Sequence, residues 1–161
     1  MIELRSASLP LAEPLHTASG PIHRRDCVLI RVSSDPTGVG EAAPLPGWTE
    51  PLEETTAGLN RLAEDPALDE SEALDRLDDR PAARHGLSLA LLDREARRDG
   101  KPLYRSLGRR GTVATVPVNA TIGDGDPQTT LTAAEAAAEA GFPCLKIKVG
   151  DSATRDLHRL T

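Results

Sequence analysis

Apolar and polar residues alternate with a period of two in two stretches near the start of the chain, residues 1–10 and 26–32. That pattern predicts a strand in each. Between them runs a polar connector, His16-Thr17-Ala18-Ser19-Gly20-Pro21-Ile22-His23-Arg24-Arg25, broken by its Gly-Pro pair. Ser33-Ser34-Asp35-Pro36-Thr37-Gly38 carries turn chemistry, and residues 39–42 then predict a third strand that completes an antiparallel meander. Pro44, Pro46 and Gly47 keep residues 43–49 out of regular structure. The period then changes to that of a helix over residues 50–63. Thr49 is its expected cap, Pro51 sits at an early helical position, and Glu53 and Glu54 lie at the positive end of the dipole. Further helices are expected at 71–77 and 84–98. In the second of these Leu87, Ala90, Leu91 and Arg94 share a face and Gly100 ends the run. Residues 102–108 read as a short helical piece. Strands followed by helices predict an α+β unit over residues 1–110.

The rhythm changes after that. A strand is expected at 112–120, a helix at 129–140 closed by Gly141, a strand at 144–149, and another helix from Asp151-Ser152. Strand alternating with helix predicts parallel α/β architecture over residues 111–161. Two such strands cannot bury a core by themselves, and Thr161 falls inside the last expected helix. The expectation is an N-terminal portion of a longer protein.

Composition narrows the function classes. The chain has 161 residues and a net charge of −6, which does not fit a general nucleic-acid binder. Its apolar runs are far shorter than the ~18 residues of a membrane span, and Met1-Ile2-Glu3-Leu4-Arg5 lacks the basic-then-apolar form of a signal peptide. Cys27 and Cys144 have no CxxC or Cys/His metal spacing and sit in apolar runs. They read as buried reduced thiols in a cytoplasmic protein. One bias is informative: of 19 basic residues only Lys101, Lys146 and Lys148 are lysines.

Two of those lysines stand one residue apart in Lys146-Ile147-Lys148, at the end of an expected strand in a βα unit. Side chains two apart on a strand face the same way, and catalytic groups of βα barrels project from the C-terminal strand ends. Two cations side by side repel, which favours a neutral amine able to act as a base. A pair of exposed strand lysines is the competing reading. His16, His23, His85 and His158 have no partners at ligand spacing. The acids follow no metal-loop pattern, and the run from Glu64 to Glu72 reads as a solvated face. Gly38-Val39-Gly40 and Gly123-Asp124-Gly125 match no phosphate-binding fingerprint.

Taken in order, Gly38-Val39-Gly40-Glu41-Ala42-Ala43-Pro44-Leu45-Pro46-Gly47-Trp48-Thr49-Glu50, the helix with Leu89-Ala90-Leu91-Leu92-Asp93, Pro102-Leu103-Tyr104 with Leu107-Gly108, and Lys146-Ile147-Lys148 resemble the enolase superfamily. Within it they look like the muconate-lactonizing subgroup, and Glu41 to Trp48 is most similar to the o-succinylbenzoate synthases. The resemblance implies an α+β capping domain (1–110) followed by the first βα units of a TIM-type barrel (111–161). It implies Mg²⁺ on a small-molecule carboxylate substrate, with ligands lying beyond Thr161. Lys148 would be the acid/base and Lys146 its electrostatic support. His16, Thr17, Ser19, Gly20, His23 and Arg24 would form one substrate-specificity loop, and Gly47 and Trp48 a second. The implied reaction is a dehydration of menaquinone biosynthesis, by a carbon–oxygen lyase. A racemase, dipeptide epimerase or cycloisomerase of the same superfamily, or a non-catalytic capping-domain remnant, are the alternatives. Residues 1–161 alone are expected to be inactive. No nucleic-acid or membrane partner is expected, and oligomeric state stays open.

Overall fold

In a computed structural model, residues 1–17, 20–45, 47–108, 115–123, 125–150 and 152–160 are described. Contacts divide the chain into two compact units, residues 1–110 and 111–161.

The first unit begins with two long antiparallel strands, β1 (Ile2–Thr17) and β2 (Gly20–Val32), joined in a hairpin. The third strand, β3 (Gly38–Ala42), pairs only with residues 28–32 of β2. The distal part of the hairpin is therefore a two-stranded ribbon. The polar connector expected at 16–25 is a correction: His16 pairs with Pro21 and Thr17 with Gly20, so these residues belong to the ladder. Gly20 takes φ +110°, open to glycine, and the Thr17 hydroxyl donates to its carbonyl at 2.8 Å. Backbone pairing needs no apolar alternation, which is why composition hid it. The register shifts between Pro10 and Leu15, where β1 carries extra residues. Pro10 and Pro14 offer no N–H there, so a bulge loses little.

Four helices follow: α1 (Leu52–Ala63), α2 (Glu70–Asp75), α3 (Pro81–Arg98) and α4 (Leu103–Ser106). Asp69 caps α2 by accepting from the Glu72 amide at 2.9 Å. The cap expected for α1 differs. Pro51 is its N-cap residue, while the Thr49 hydroxyl accepts from the Leu45 amide at 2.9 Å and closes the preceding turn.

Helix α3 lies against β2 and β3 at backbone distance. On β3 the inward positions are Gly38, Gly40 and Ala42; on α3 they include Ala83, Gly86, Leu87 and Ala90. A Cβ on Gly40 would fall 2.0 Å from the Gly86 carbonyl oxygen, and one on Gly38 would fall 2.0 Å from that of Ala90. The Asp93 carboxylate accepts the Val39 amide at 3.0 Å and ties the helix to the edge strand. Val28, Ile30, Leu59, Leu77 and Leu87 fill the core below, each at most 1 % exposed. Burying one such side chain contributes about 1.5–3 kcal/mol.

The second unit contains β4 (Ala120–Ile122), α5 (Pro127–Glu139), β5 (Leu145–Ile147) and α6 (Ala153–Leu160). The two strands are parallel, with Thr121 opposite Lys146. The strand expected at 112–120 falls partly on residues 112–114, outside the described residues. Residues 115–119 are irregular and pairing starts at Ala120. Helix α5 starts earlier than expected because Asp126 caps it. The Thr129 amide and hydroxyl both donate to that carboxylate and hold it below the ordinary aspartate range. Cys27 is buried as expected, but Cys144 is exposed, since β5 begins one residue later. Among the described residues, no helix is long and apolar enough to cross a membrane.

Gly40→Ala should cost about 1–3 kcal/mol or more, because backbone rather than a flexible side chain must give way. Val39→Thr, at the neighbouring outward position, should stay within about 0.5 kcal/mol. Urea unfolding of both variants measures the difference.

Candidate functional site

The expected lysines lie where β5 ends. Lys146 is exposed in the strand. Lys148 is half-buried one residue past its end, and its amide still donates to the Ile122 carbonyl of β4 at 3.3 Å. The pair therefore stands at the C-terminal edge of a parallel strand pair, the edge from which βα enzymes project their chemistry.

A buried cation organises the same edge. The Arg159 side chain on α6 is 2 % exposed. Its Nε donates to Thr130 Oγ1 on α5 at 3.1 Å. One terminal nitrogen donates to the Lys148 carbonyl at 2.8 Å and lies 3.4 Å from Asp156 Oδ1, while the other donates to the Gly123 carbonyl after β4. The other Asp156 oxygen accepts the Gly150 amide at 2.7 Å. The pattern of residues did not mark Arg159, because α6 reads as a polar surface helix. The i,i+3 pair of Asp156 and Arg159 just after Gly150 was the available signal.

The remaining expected residues lie in the first unit. His16, Thr17, Gly20, His23 and Arg24 are strand residues of the distal hairpin rather than a loop, and Ser19 lies outside the described residues. Arg24 turns back onto β1, with Nε donating to Ser8 Oγ at 3.0 Å and Nη2 to the Ser8 carbonyl at 3.3 Å. Gly47 adopts φ +82° in a turn closed by the Trp48 and Thr49 amides on the Leu45 carbonyl. Trp48 is 81 % exposed at its tip. The hairpin and the segment after this turn meet at a cavity of about 120 Å³, whose lining includes Ile22, Arg24, Asp26, Pro44, Glu50 and Leu52.

Glu50 anchors that segment. Its carboxylate accepts the Ala82 and Ala83 amides at 3.0 and 2.8 Å and the Thr55 hydroxyl at 3.0 Å. It thus fills the anion site at the start of α3, whose own N-cap residue Arg80 makes no side-chain cap bond. Burial pushes the carboxyl up, but the two amides and the hydroxyl outweigh it and hold Glu50 below the ordinary glutamate range.

Among the described residues, no three His, Cys, Asp or Glu side chains cluster so as to hold a metal ion. The described residues do not fit a resident Mg²⁺ site.

No protein-family model matches the chain. Among curated proteins it is 33 % identical to the L-Lys-D/L-Arg epimerase of Methylococcus capsulatus, over 99 % of the chain and 48 % of that protein. It is 28 % identical to the L-Ala-D/L-Glu epimerase of Bacillus subtilis, over 99 % of the chain and 46 % of that protein. The chain thus spans about half the length of the curated relatives it matches. The solved dipeptide epimerase of M. capsulatus, complexed with Mg and the dipeptide L-Arg-D-Lys, superposes with a TM-score of 0.85 at 31 % identity, over 99 % of the chain and 48 % of the other. A member of the enolase superfamily from Roseovarius nubinhibens superposes at 0.76 and 29 % identity, over 99 % and 46 %. The o-succinylbenzoate synthase of Thermosynechococcus elongatus, complexed with Mg, is more distant, at 0.68 and 27 % identity over 99 % and 46 %. The structural neighbours are enolase-superfamily proteins, and what they share with this chain is the N-terminal capping architecture.

Because the Glu50 carboxyl is held low, its contribution is present above the ordinary glutamate range, near pH 4.5, and is lost as pH falls through its lowered value. Glu50→Gln turns an amide donor toward one of the α3 amides. It should cost about 1–3 kcal/mol at pH 7 and flatten the acid limb of the stability profile. Thermal melts from pH 3 to 7 check both.

Proposed function

We propose that residues 1–161 supply the capping unit and the first barrel strands of an enolase-superfamily enzyme that moves the proton α to a carboxylate, and that this enzyme epimerises dipeptides. The observation that carries the reading is Lys146-Ile147-Lys148 at the C-terminal edge of a parallel strand pair. The epimerases among the relatives, at TM-scores up to 0.85, support this substrate class ahead of the cyclohexadiene dehydration suggested by residues 41–48, whose synthase superposes at 0.68.

In this reading Lys148 Nζ takes the proton from the substrate α-carbon, and the electron pair of the broken C–H bond delocalises into the adjacent carboxylate. A second acid group on the opposite face, which the enzyme must supply besides Lys148, then donates a proton there and inverts the centre. Arginine could not serve as the base, because its guanidinium stays protonated. Lys146, on the same strand, places a second positive charge toward the negative charge that develops in the transition state. The hairpin residues His16, Thr17, Gly20, His23 and Arg24, together with Ser19, Gly47 and Trp48, select the substrate side chains. A divalent ion, which would supply Lewis-acid stabilisation of the same charge, would need ligands other than the described residues, and no step here runs through it.

A chimera tests the proposal, with residues 1–161 in place of the matching N-terminal half of the B. subtilis epimerase. Deuterium uptake at the α-carbon of a dipeptide panel in D₂O, with formation of the epimer, is expected. A folded chimera that instead forms o-succinylbenzoate from the cyclohexadiene substrate returns the dehydratase reading. A folded chimera that does neither removes the enzymatic one. Lys148→Arg should lower exchange ~10²–10⁴-fold, and Lys146→Arg less, since it keeps the charge.

A further inference from the structure

We propose that Arg159 is a positioning residue for Lys148: from a buried seat on α6 it grips the backbone at the ends of both strands and sets where the Lys148 side chain starts. The role rests on the reading of Lys148 as the proton-transferring group.

Lys148 lies beyond the last ladder residue of β5, so the strand pair alone does not hold its backbone. The Lys148 amide reaches back to Ile122 at 3.3 Å, a long bond, whereas its carbonyl receives Arg159 at 2.8 Å. The same guanidinium reaches the Gly123 carbonyl after β4 and Thr130 Oγ1 on α5. One planar group thus spans the exits of β4 and β5 and the first turn of α5. Asp156, one turn earlier on α6, takes the Gly150 amide at 2.7 Å and so clamps the residue two positions past Lys148. Gly150 has φ +123°, a conformation that lets the chain turn sharply into α6.

This arrangement costs more than a surface ion pair would repay. A cation only 2 % exposed must recover its desolvation from hydrogen bonds, and Arg159 has a carboxylate, two carbonyls and a hydroxyl around it. A role confined to stability would be met as well by an apolar side chain packing α6 against α5. Orienting two carbonyls at a strand exit needs fixed donors, and the guanidinium fork supplies them.

The experiment uses the 161-residue chain and exploits its three lysines. Reductive ¹³C-methylation gives one dimethylamine NMR signal each for Lys101, Lys146 and Lys148, beside that of the Met1 α-amine, and the Arg159→Lys variant adds one more from its new amine. The variants are Arg159→Lys, which cannot reach all the acceptors, and Thr130→Val, an isosteric change that touches Lys148 only through Arg159. Each should shift the Lys148 signal while Lys101 and Lys146 stay in place. Gly150 amide exchange should rise roughly five- to tenfold, the equivalent of one hydrogen bond. The double variant should change less than the two effects combined. An unmoved Lys148 signal in Thr130→Val overturns the proposal, even if Arg159→Lys fails to fold. In the chimera, Arg159→Lys should lower kcat about tenfold to a hundredfold with KM nearly unchanged. An inactive chimera with the Lys148 shift present removes only the functional reading. An active one with the shift absent removes only the role of Arg159.

Discussion

Backbone meets backbone where α3 crosses β2 and β3, and much of the first unit follows from that contact. Gly38, Gly40 and Gly86 leave no room for a Cβ at the crossing, so the helix axis can settle only at one height above the sheet. Interiors packed at crystal-like density transmit such a constraint instead of absorbing it. The position of α3 fixes where its first amides point. Those amides need an acceptor, because Pro81 opens the helix and Arg80 provides no cap bond. Glu50 supplies it from across the unit, which pins residues 49–52 and hence the turn carrying Gly47 and Trp48. A steric condition in the core thus reaches an exposed tryptophan through one buried carboxylate.

The second unit works on a different principle. Two short strands give little ladder, and the exposed Val149, Leu157 and Leu160 show that its apolar burial is modest. Order at the strand exits comes from polar bonds: Arg159 to two carbonyls and a hydroxyl, Asp156 to Gly150. Such networks are worth most when every member is satisfied. Here the carbonyls at both strand exits and the Gly150 amide find partners inside the unit.

Periodicity made the elements legible where one face is buried. β2 beyond Asp26 and α3 show it, because burial imposes the pattern. It failed at the distal hairpin, where both faces are exposed and only backbone bonds hold the strands. It also failed for Glu50, whose partners lie more than thirty residues along the chain. Residues 39–42 were legible as a strand, but Gly38 and Gly40 were not legible as a seat for a helix, since a close approach needs both surfaces to be known. The strand-end location of the lysine pair could be read from order alone. The buried Arg159 beside it could not, because in a chain this rich in arginine one more on a polar helix carries no signal.

The scarcity of lysine takes on meaning once both strand exits are in view. Sixteen arginines and three lysines suggest a background that replaces one by the other freely. The two residues cannot trade places here. At position 159 a lysine would offer three donors on a single nitrogen, against acceptors spread over α5, α6 and the ends of two strands, and the geometry demands the wider fork. At position 148, on the proposed reading of Lys148 as the base, an arginine would keep its proton and could accept none from carbon. The same strand edge therefore holds a buried, fixed guanidinium beside the backbone of Lys148. The chain joins the two through a hydrogen bond from the guanidinium to the Lys148 backbone carbonyl, which on the proposed reading fixes where the stem of the proton-transferring side chain starts.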